Sequence, residues 1–264
     1  STATGLTTTP ADLAELARSL NASRWQAFRK VRFPAALPQI FVGLKVAMPL
    51  AAIGGQVYRI VSSRFPPVSL WDRIANPAEF DALAEIESLT NERLREELGE
   101  LARIPRHRRI AGPGTTPIMA AFTHLNPEAS RFSDGTFGVF YAARAEATAL
   151  RETVFHRERF LAATTQPAQQ VTMRCYVSSI LRPLHDIRVG HDGLHDPDPS
   201  TYPVSAAFAR ALRLANSEGI SYRSVRHAGG ECVAVFWPDN LAPCVQGSHY
   251  AYHWDGEAIT AVSR

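Results

Sequence analysis

Lysine is all but missing from these 264 residues: among 28 basic side chains only Lys30 and Lys45 are lysines, and both stand early. Cysteine is nearly as sparse. Cys175, Cys232 and Cys244 form no CxxC pair, and an odd set of three argues against a disulfide scaffold. Cys175 and Cys232 fall in strand-like apolar runs, where a free thiol behaves as a small hydrophobe. No secretory signal pattern is present, so a reducing cytoplasm is the expected location. Gly112 and Gly114 in AGPGTT lack the spacing and the lysine of a P-loop. The nucleophile elbow G-x-S-x-G is also missing, which argues against a hydrolase built on Ser224, His227 and an acid.

What is present reads as an ordinary soluble globular chain. Hydrophobic content of 45% and charge of 20% exclude wholesale disorder, and the length suits one large domain with an extension. The net charge of +3 is unevenly placed. Residues 1–54 hold six of the 28 basic residues and two of the 25 acidic ones, leaving 22 against 23 in the remainder. That balance gives no broad basic face, so direct nucleic-acid binding is not expected. Both lysines lie before residue 54 and all nine histidines lie after it. Three coincident shifts put a seam near Gly54–Gln56, dividing the chain into an extension, 1–54, and a domain, 55–264.

Within the domain, Val57–Val61 is expected to be a short strand carrying Arg59. Phe80, Leu83, Ile86, Leu89, Leu94 and Leu98 recur at helical spacing and predict a helix over 76–100. The run ARIPRHRRIAGPGTTP reads as a basic loop. A strand over 137–141 precedes a helix over 146–160, on which Ala149, Thr153 and His156 share a side with Glu152. Alternation of Val171, Met173, Cys175 and Val177 predicts a half-buried strand over 170–178. Residues 184–203 read as a long surface loop and 206–217 as a helix. Two hairpins complete the pattern: 222–226 with 231–237, and 250–254 with 258–262 around Asp255-Gly256. The class is α+β, a compact mixed and mostly antiparallel sheet with flanking helices.

Four fragments carry the chemistry: Arg131 in SRFSDG, Tyr141 in FGVFYAA, Glu152 in ALRETVFHRERF and Ser224 in SYRSVRH. Ten residues separate the first two and eleven the next two, and Arg59 stands upstream in QVYRIVSSRFPP. In this order and spacing they resemble the RES-domain family, typically toxins of bacterial toxin–antitoxin pairs that attack NAD. The resemblance implies a fold similar to ADP-ribosyltransferases, NAD as substrate, and no metal. It also implies a cognate Xre-like helix-turn-helix antitoxin that caps the pocket.

Cleaving the nicotinamide–ribose bond leaves an oxocarbenium-like sugar, which a carboxylate near the anomeric carbon stabilises. Glu152 is the candidate. Arg59 and Arg131 offer planar forks for diphosphate oxygens. Tyr141 suits stacking on nicotinamide or donating its hydroxyl, and Ser224 suits holding the ribose against Glu152 without acting as a nucleophile. His156, Arg226 and His227 flank this set. Each residue alone would read as an ordinary surface or strand residue; the joint spacing is what singles them out.

Two further stretches stand out. His185, His191 and His195 stand among four aspartates, but in a Gly/Pro-rich stretch that matches no ligand pattern, so no metal is expected. The stretch ELARSLNASRWQAFRKVRFPAALPQIFVGLKVAMPLAAIG resembles the coupling helices and first part of a span in an ABC importer permease of the nitrate/sulfonate/taurine group. Here the apolar run 37–55 is broken by Lys45, a cost of about 2.5–3.5 kcal/mol at mid-span. Membrane contact by residues 37–54 is therefore not expected. A fusion remnant or an artefact is preferred to a helical extension. The expected function is NAD depletion by phosphorolysis or hydrolysis. The alternatives are mono-ADP-ribosyl transfer to a host protein and a membrane-associated interaction protein.

Overall fold

The computed structural model describes residues 50–51, 55–63, 101–125 and 129–264. Among these, nine strands form one sheet: β1 (Leu50–Ala51), β2 (Gln56–Ser62), β3 (Phe140–Ala143), β4 (Gln169–Ser179), β5 (Leu184–Asp186), β6 (Gly219–Arg223), β7 (Glu231–Val235), β8 (Val245–Trp254) and β9 (Ile259–Ser263). Their spatial order is β1-β5-β6-β7-β3-β2-β4-β8-β9. The β5–β6 pair is parallel and every other neighbouring pair is antiparallel. Three helices flank it: α1 (Thr116–Thr123), α2 (Glu146–Ala163) and α3 (Tyr202–Leu214). The α+β class read from the sequence is the class observed.

Both faces of the central strands are covered, because successive side chains alternate faces and each face has its own apolar layer. In β7, Cys232 and Ala234 join Ile220, Tyr222, Met173 and Tyr252 under α2 and α3. The alternate residues Val233 and Val235 join Phe140, Ile104 and the α1 residues Ile118, Met119 and Phe122 on the other side. Full burial of such side chains stabilises by about 1.5–3 kcal/mol each. The chain must run close beneath α1 just before β3. A Cβ at Gly138 would lie 2.4 Å from the Phe122 Cα, so only glycine fits.

Several elements depart from the sequence reading. The β4 strand is half-buried only at its start, where Gln169, Gln170 and Thr172 are exposed; further along, Arg174, Tyr176 and Ser178, on the face opposite Met173 and Cys175, are also buried, Tyr176 within the second layer. The expected basic loop is two 3-10 turns, Leu101–Arg103 and Arg106–Arg108, followed by α1. Arg108 is buried there over the Trp237 ring, with Nη1 3.0 Å from Glu218 Oε1 and 3.1 Å from Asp239 Oδ1. The expected surface loop 184–203 begins as β5, whose Leu184 and His185 are buried, and α3 starts at Tyr202, earlier than expected. Leu50 and Ala51, on the extension's side of the expected seam, pair with His185 and Leu184 at the sheet edge. The expected helix 76–100 lies outside the described residues. Among the described residues no helix is long and apolar enough to cross a membrane.

Candidate active site

The sheet is split where the site lies. Strands β2 and β3 are neighbours but pair only at Tyr58 and Ala143. One residue further along β2, the Arg59 Nη1 donates to the Tyr141 carbonyl at 3.0 Å, taking the place of a ladder bond. Its guanidinium lies 4.8 Å over the Phe140 ring, on the α1 side of the sheet. Burial lowers its pKa to about 10, so it stays charged at neutral pH. Through this split runs a cleft of about 700 Å³ whose lining includes Arg59, Arg131, Tyr141, Glu152, Tyr222 and Cys232.

Tyr141 and Arg131 brace one wall. The Tyr141 Oη accepts the Phe132 N–H at 2.9 Å and pairs with Ser130 Oγ at 2.8 Å, fixing the 130–133 turn. Burial pushes its phenol up to about 12, so it remains neutral. Arg131, thereby aimed, is buried 4.6 Å over the Tyr202 ring. Its Nη1 donates to the Leu194 carbonyl (3.0 Å) and its Nη2 to the Asp196 carbonyl (2.9 Å). The expected diphosphate fork is thus engaged with backbone. Arg131 clasps the 191–198 segment, which Arg226 also holds through Pro197 while its guanidinium lies 3.4 Å over the Phe155 ring of α2.

Glu152 stands in the second turn of α2, and its carboxylate is gripped from behind. Ser224 lies just past β6, where the 224–230 turn closes through Ser224 N–H to the Gly230 carbonyl at 2.8 Å. The Ser224 Oγ accepts the backbone N–H of Arg226 (3.1 Å) and of His227 (2.9 Å). With both lone pairs taken, its one proton points to Glu152 Oε1, 2.6 Å away. Such short bonds to a carboxylate are the strong ones. The other oxygen, Oε2, has no hydrogen-bond partner among the described residues. His227 in turn lies 2.8 Å from Thr148 Oγ1, and a Cβ at Gly230 would come within 2.7 Å of that threonine. Sequence alone offered the ribose as the partner of Ser224; the geometry gives it Glu152.

Four of the five expected residues, Arg59, Arg131, Tyr141 and Glu152, line the one cleft, and Ser224 reaches it through Glu152. Ser224 itself lines a second hollow of about 730 Å³, with Arg188, Arg223, Gly230 and Glu231 among its walls. The sequence reading missed Tyr222, Cys232 and Arg159 as cleft residues. Arg159 was legible in principle, seven residues from Glu152 on the same helix face. Cys232 Sγ lies 3.9 Å from Glu152 Oε1, and burial followed by that charge pushes its thiol up, leaving it an unreactive hydrophobe. Of the histidines considered as metal ligands, His195 is buried and its Nδ1 lies 2.9 Å from the His191 carbonyl. Among the described residues no three of His, Cys, Asp or Glu gather to hold a metal ion.

The RES domain family model matches residues 101–255, more than half of the sequence, and takes in Arg131, Tyr141, Glu152 and Ser224 but not Arg59. This chain belongs to the RES domain family. A relative, the uncharacterized protein y4oC of Sinorhizobium fredii (strain NBRC 101917 / NGR234), is 31% identical over 221 residues, covering 81% of this chain and 89% of the relative. A chain in the crystal structure of the M. tuberculosis MbcT–MbcA toxin–antitoxin complex aligns with a TM-score of 0.43 and 11% identity, over 81% of this RES chain and 91% of that one. Residues 1–58 match the model of the binding-protein-dependent transport system inner membrane component. That second stretch overlaps the RES sheet, since β2 begins at Gln56.

Proposed function

We propose that this RES protein is the toxin of a toxin–antitoxin pair and cleaves the bond between nicotinamide and ribose in NAD. The observation that carries the reading is the Glu152 carboxylate, held in the cleft wall by a 2.6 Å bond from Ser224, its second oxygen without a hydrogen-bond partner among the described residues. In this role Glu152 faces the ribose at C1′. The C1′–N bond breaks with its electron pair going to the nicotinamide nitrogen, which leaves neutral. Positive charge grows on the ribose, and the fixed carboxylate stabilises it. An oxygen of water or phosphate then bonds C1′ and gives up its proton to solvent.

The Ser224 hydroxyl keeps Glu152 from swinging away and acts through it. The Tyr141 ring forms part of the wall against which a flat nicotinamide would stack, its hydroxyl being engaged with the 130–133 turn. Following the family resemblance, the partner is an Xre-like helix-turn-helix antitoxin seated over the cleft mouth, and the working compartment is the cytoplasm. Transfer of ADP-ribose to a protein uses the same carboxylate and differs only in the acceptor. The test is to incubate the purified full chain with NAD and identify products by mass spectrometry. Nicotinamide with ADP-ribose means water as acceptor; nicotinamide with ADP-ribose 1-phosphate means phosphate. Nicotinamide with a modified protein means transfer. Intact NAD beside a folded chain overturns the cleavage reading.

A further inference from the structure

The cleft must do more than seat a ribose, because a dinucleotide brings two negative phosphates on the 5′ side of that ring. Permanent charge of the opposite sign has to meet them. Of the five arginines that line the two hollows, four are already engaged. Arg131 gives both terminal nitrogens to the Leu194 and Asp196 carbonyls. Arg59 lies on the far side of the split, bonded to the Tyr141 carbonyl and packed on Phe140. In the second hollow, Arg188 is held between Asp186 and Glu231, and Arg223 pairs with Asp192.

Among the described residues, the remaining cleft arginine is without an ion pair. The α2 helix lies along the cleft like a rail: Glu152, His156 and Arg159 recur at spacings of four and three, and all three line the cavity, with Phe160 beside them. The rise of 1.5 Å per residue puts Arg159 about 10 Å further along the helix axis than Glu152. Both His156 and Arg159 are exposed. Arg159 makes no ion pair among the described residues. Asp198 registers its charge only weakly, its carboxyl being lowered chiefly by the Ser200 amide it accepts.

We infer that Arg159, at the outer end of the α2 rail, is the residue that binds the diphosphate of the dinucleotide, with Arg131 serving as a clasp for the 191–198 segment. This rests on the cleavage reading for the identity of the substrate but not for its test. A dinucleotide laid along α2 has its nicotinamide ribose at Glu152 and its diphosphate at the Arg159 guanidinium, where two N–H donors can meet two phosphate oxygens. His156, between them, is within the span of the ribose and its 5′ oxygen.

The experiment compares the full chain with Arg159→Ala and Arg159→Lys in three readouts: KM and kcat for NAD, turnover of nicotinamide riboside, which has no phosphate, and calorimetric binding of ADP-ribose. Arg159→Ala is expected to raise the KM for NAD and the Kd for ADP-ribose together, by about tenfold to a hundredfold, with kcat little changed. Riboside turnover should stay at the parent level, and Arg159→Lys should recover part of the loss as a point charge. Unchanged KM and Kd in Arg159→Ala overturn the assignment. An equal fall in riboside turnover also overturns it, because the effect would then be structural. If the parent chain releases no nicotinamide, the cleavage reading falls, yet the ADP-ribose titration still decides Arg159. If the parent chain does not bind ADP-ribose, the assignment falls with it.

Discussion

Two hollows of nearly equal size meet at the Ser224–Glu152 hydrogen bond, and they differ in how their charges are used. In the second hollow Arg188 sits between Asp186 and Glu231, and Arg223 is matched by Asp192. Those cations are neutralised before any ligand arrives. In the cleft, among the described residues, the Glu152 carboxylate has one oxygen held and one without a hydrogen-bond partner, and Arg159 makes no ion pair. On the proposed reading it is this difference in charge that marks the cleft as the site. A site holds charge that its own fold has left unpaired while fixing the groups that bear it.

Substitutions can break that contrast, and the largest effect is expected at Glu152. On the proposed reading, Glu152→Ala removes the group that answers the growing positive charge, and kcat for nicotinamide release should fall by about 10²–10³-fold or more. Ser224→Ala leaves the carboxylate in place but removes its O–H donor and orphans two backbone N–H groups. A fall of roughly tenfold to a hundredfold is expected, measured as kcat with the fold checked by circular dichroism. A fall as deep as that of Glu152→Ala would mean that the serine touches substrate.

Arg131→Lys tests the clasp. One ammonium cannot reproduce a fork across the Leu194 and Asp196 carbonyls, so stability should fall by about 1–3 kcal/mol, seen as a drop of several degrees in Tm. If stability holds while NAD binding collapses, Arg131 is a ligand-binding group after all. The smallest effect is expected in the second hollow: Arg223→Ala breaks only an exposed ion pair, so kcat/KM should stay within about twofold of the parent. A large loss there would erase the distinction between the two hollows.

How much of this the sequence revealed follows from the range of the interactions. Local patterns carried through: β2, α2 and β9 stand close to where periodicity and the Asp255-Gly256 turn put them, though β8 starts at Val245 and not at Tyr250, and Asp255 Oδ1 accepts the Glu257 and Ala258 amides as such a turn requires. The α1 helix begins at the end of a run rich in arginine, glycine and proline that reads as loop, although Pro117 at its start was a usable signal. The burial of Arg108 was not legible, because its partners Glu218 and Asp239 come from more than a hundred residues away. The site divides in the same way. The residues that converge were readable as a spaced set, but which atom each one holds was not. Arg131 facing two carbonyls, Arg59 bridging a split in the sheet and Ser224 facing Glu152 all depend on contacts between distant segments.

The most direct test of the central claim is the rate of nicotinamide release from NAD by the purified full chain, set beside that of Glu152→Ala at equal folded concentration. Release by the parent chain that all but vanishes in Glu152→Ala is the predicted result. Equal release by both proteins would contradict the account, because the carboxylate that Ser224 holds in the cleft would then have no part in the chemistry.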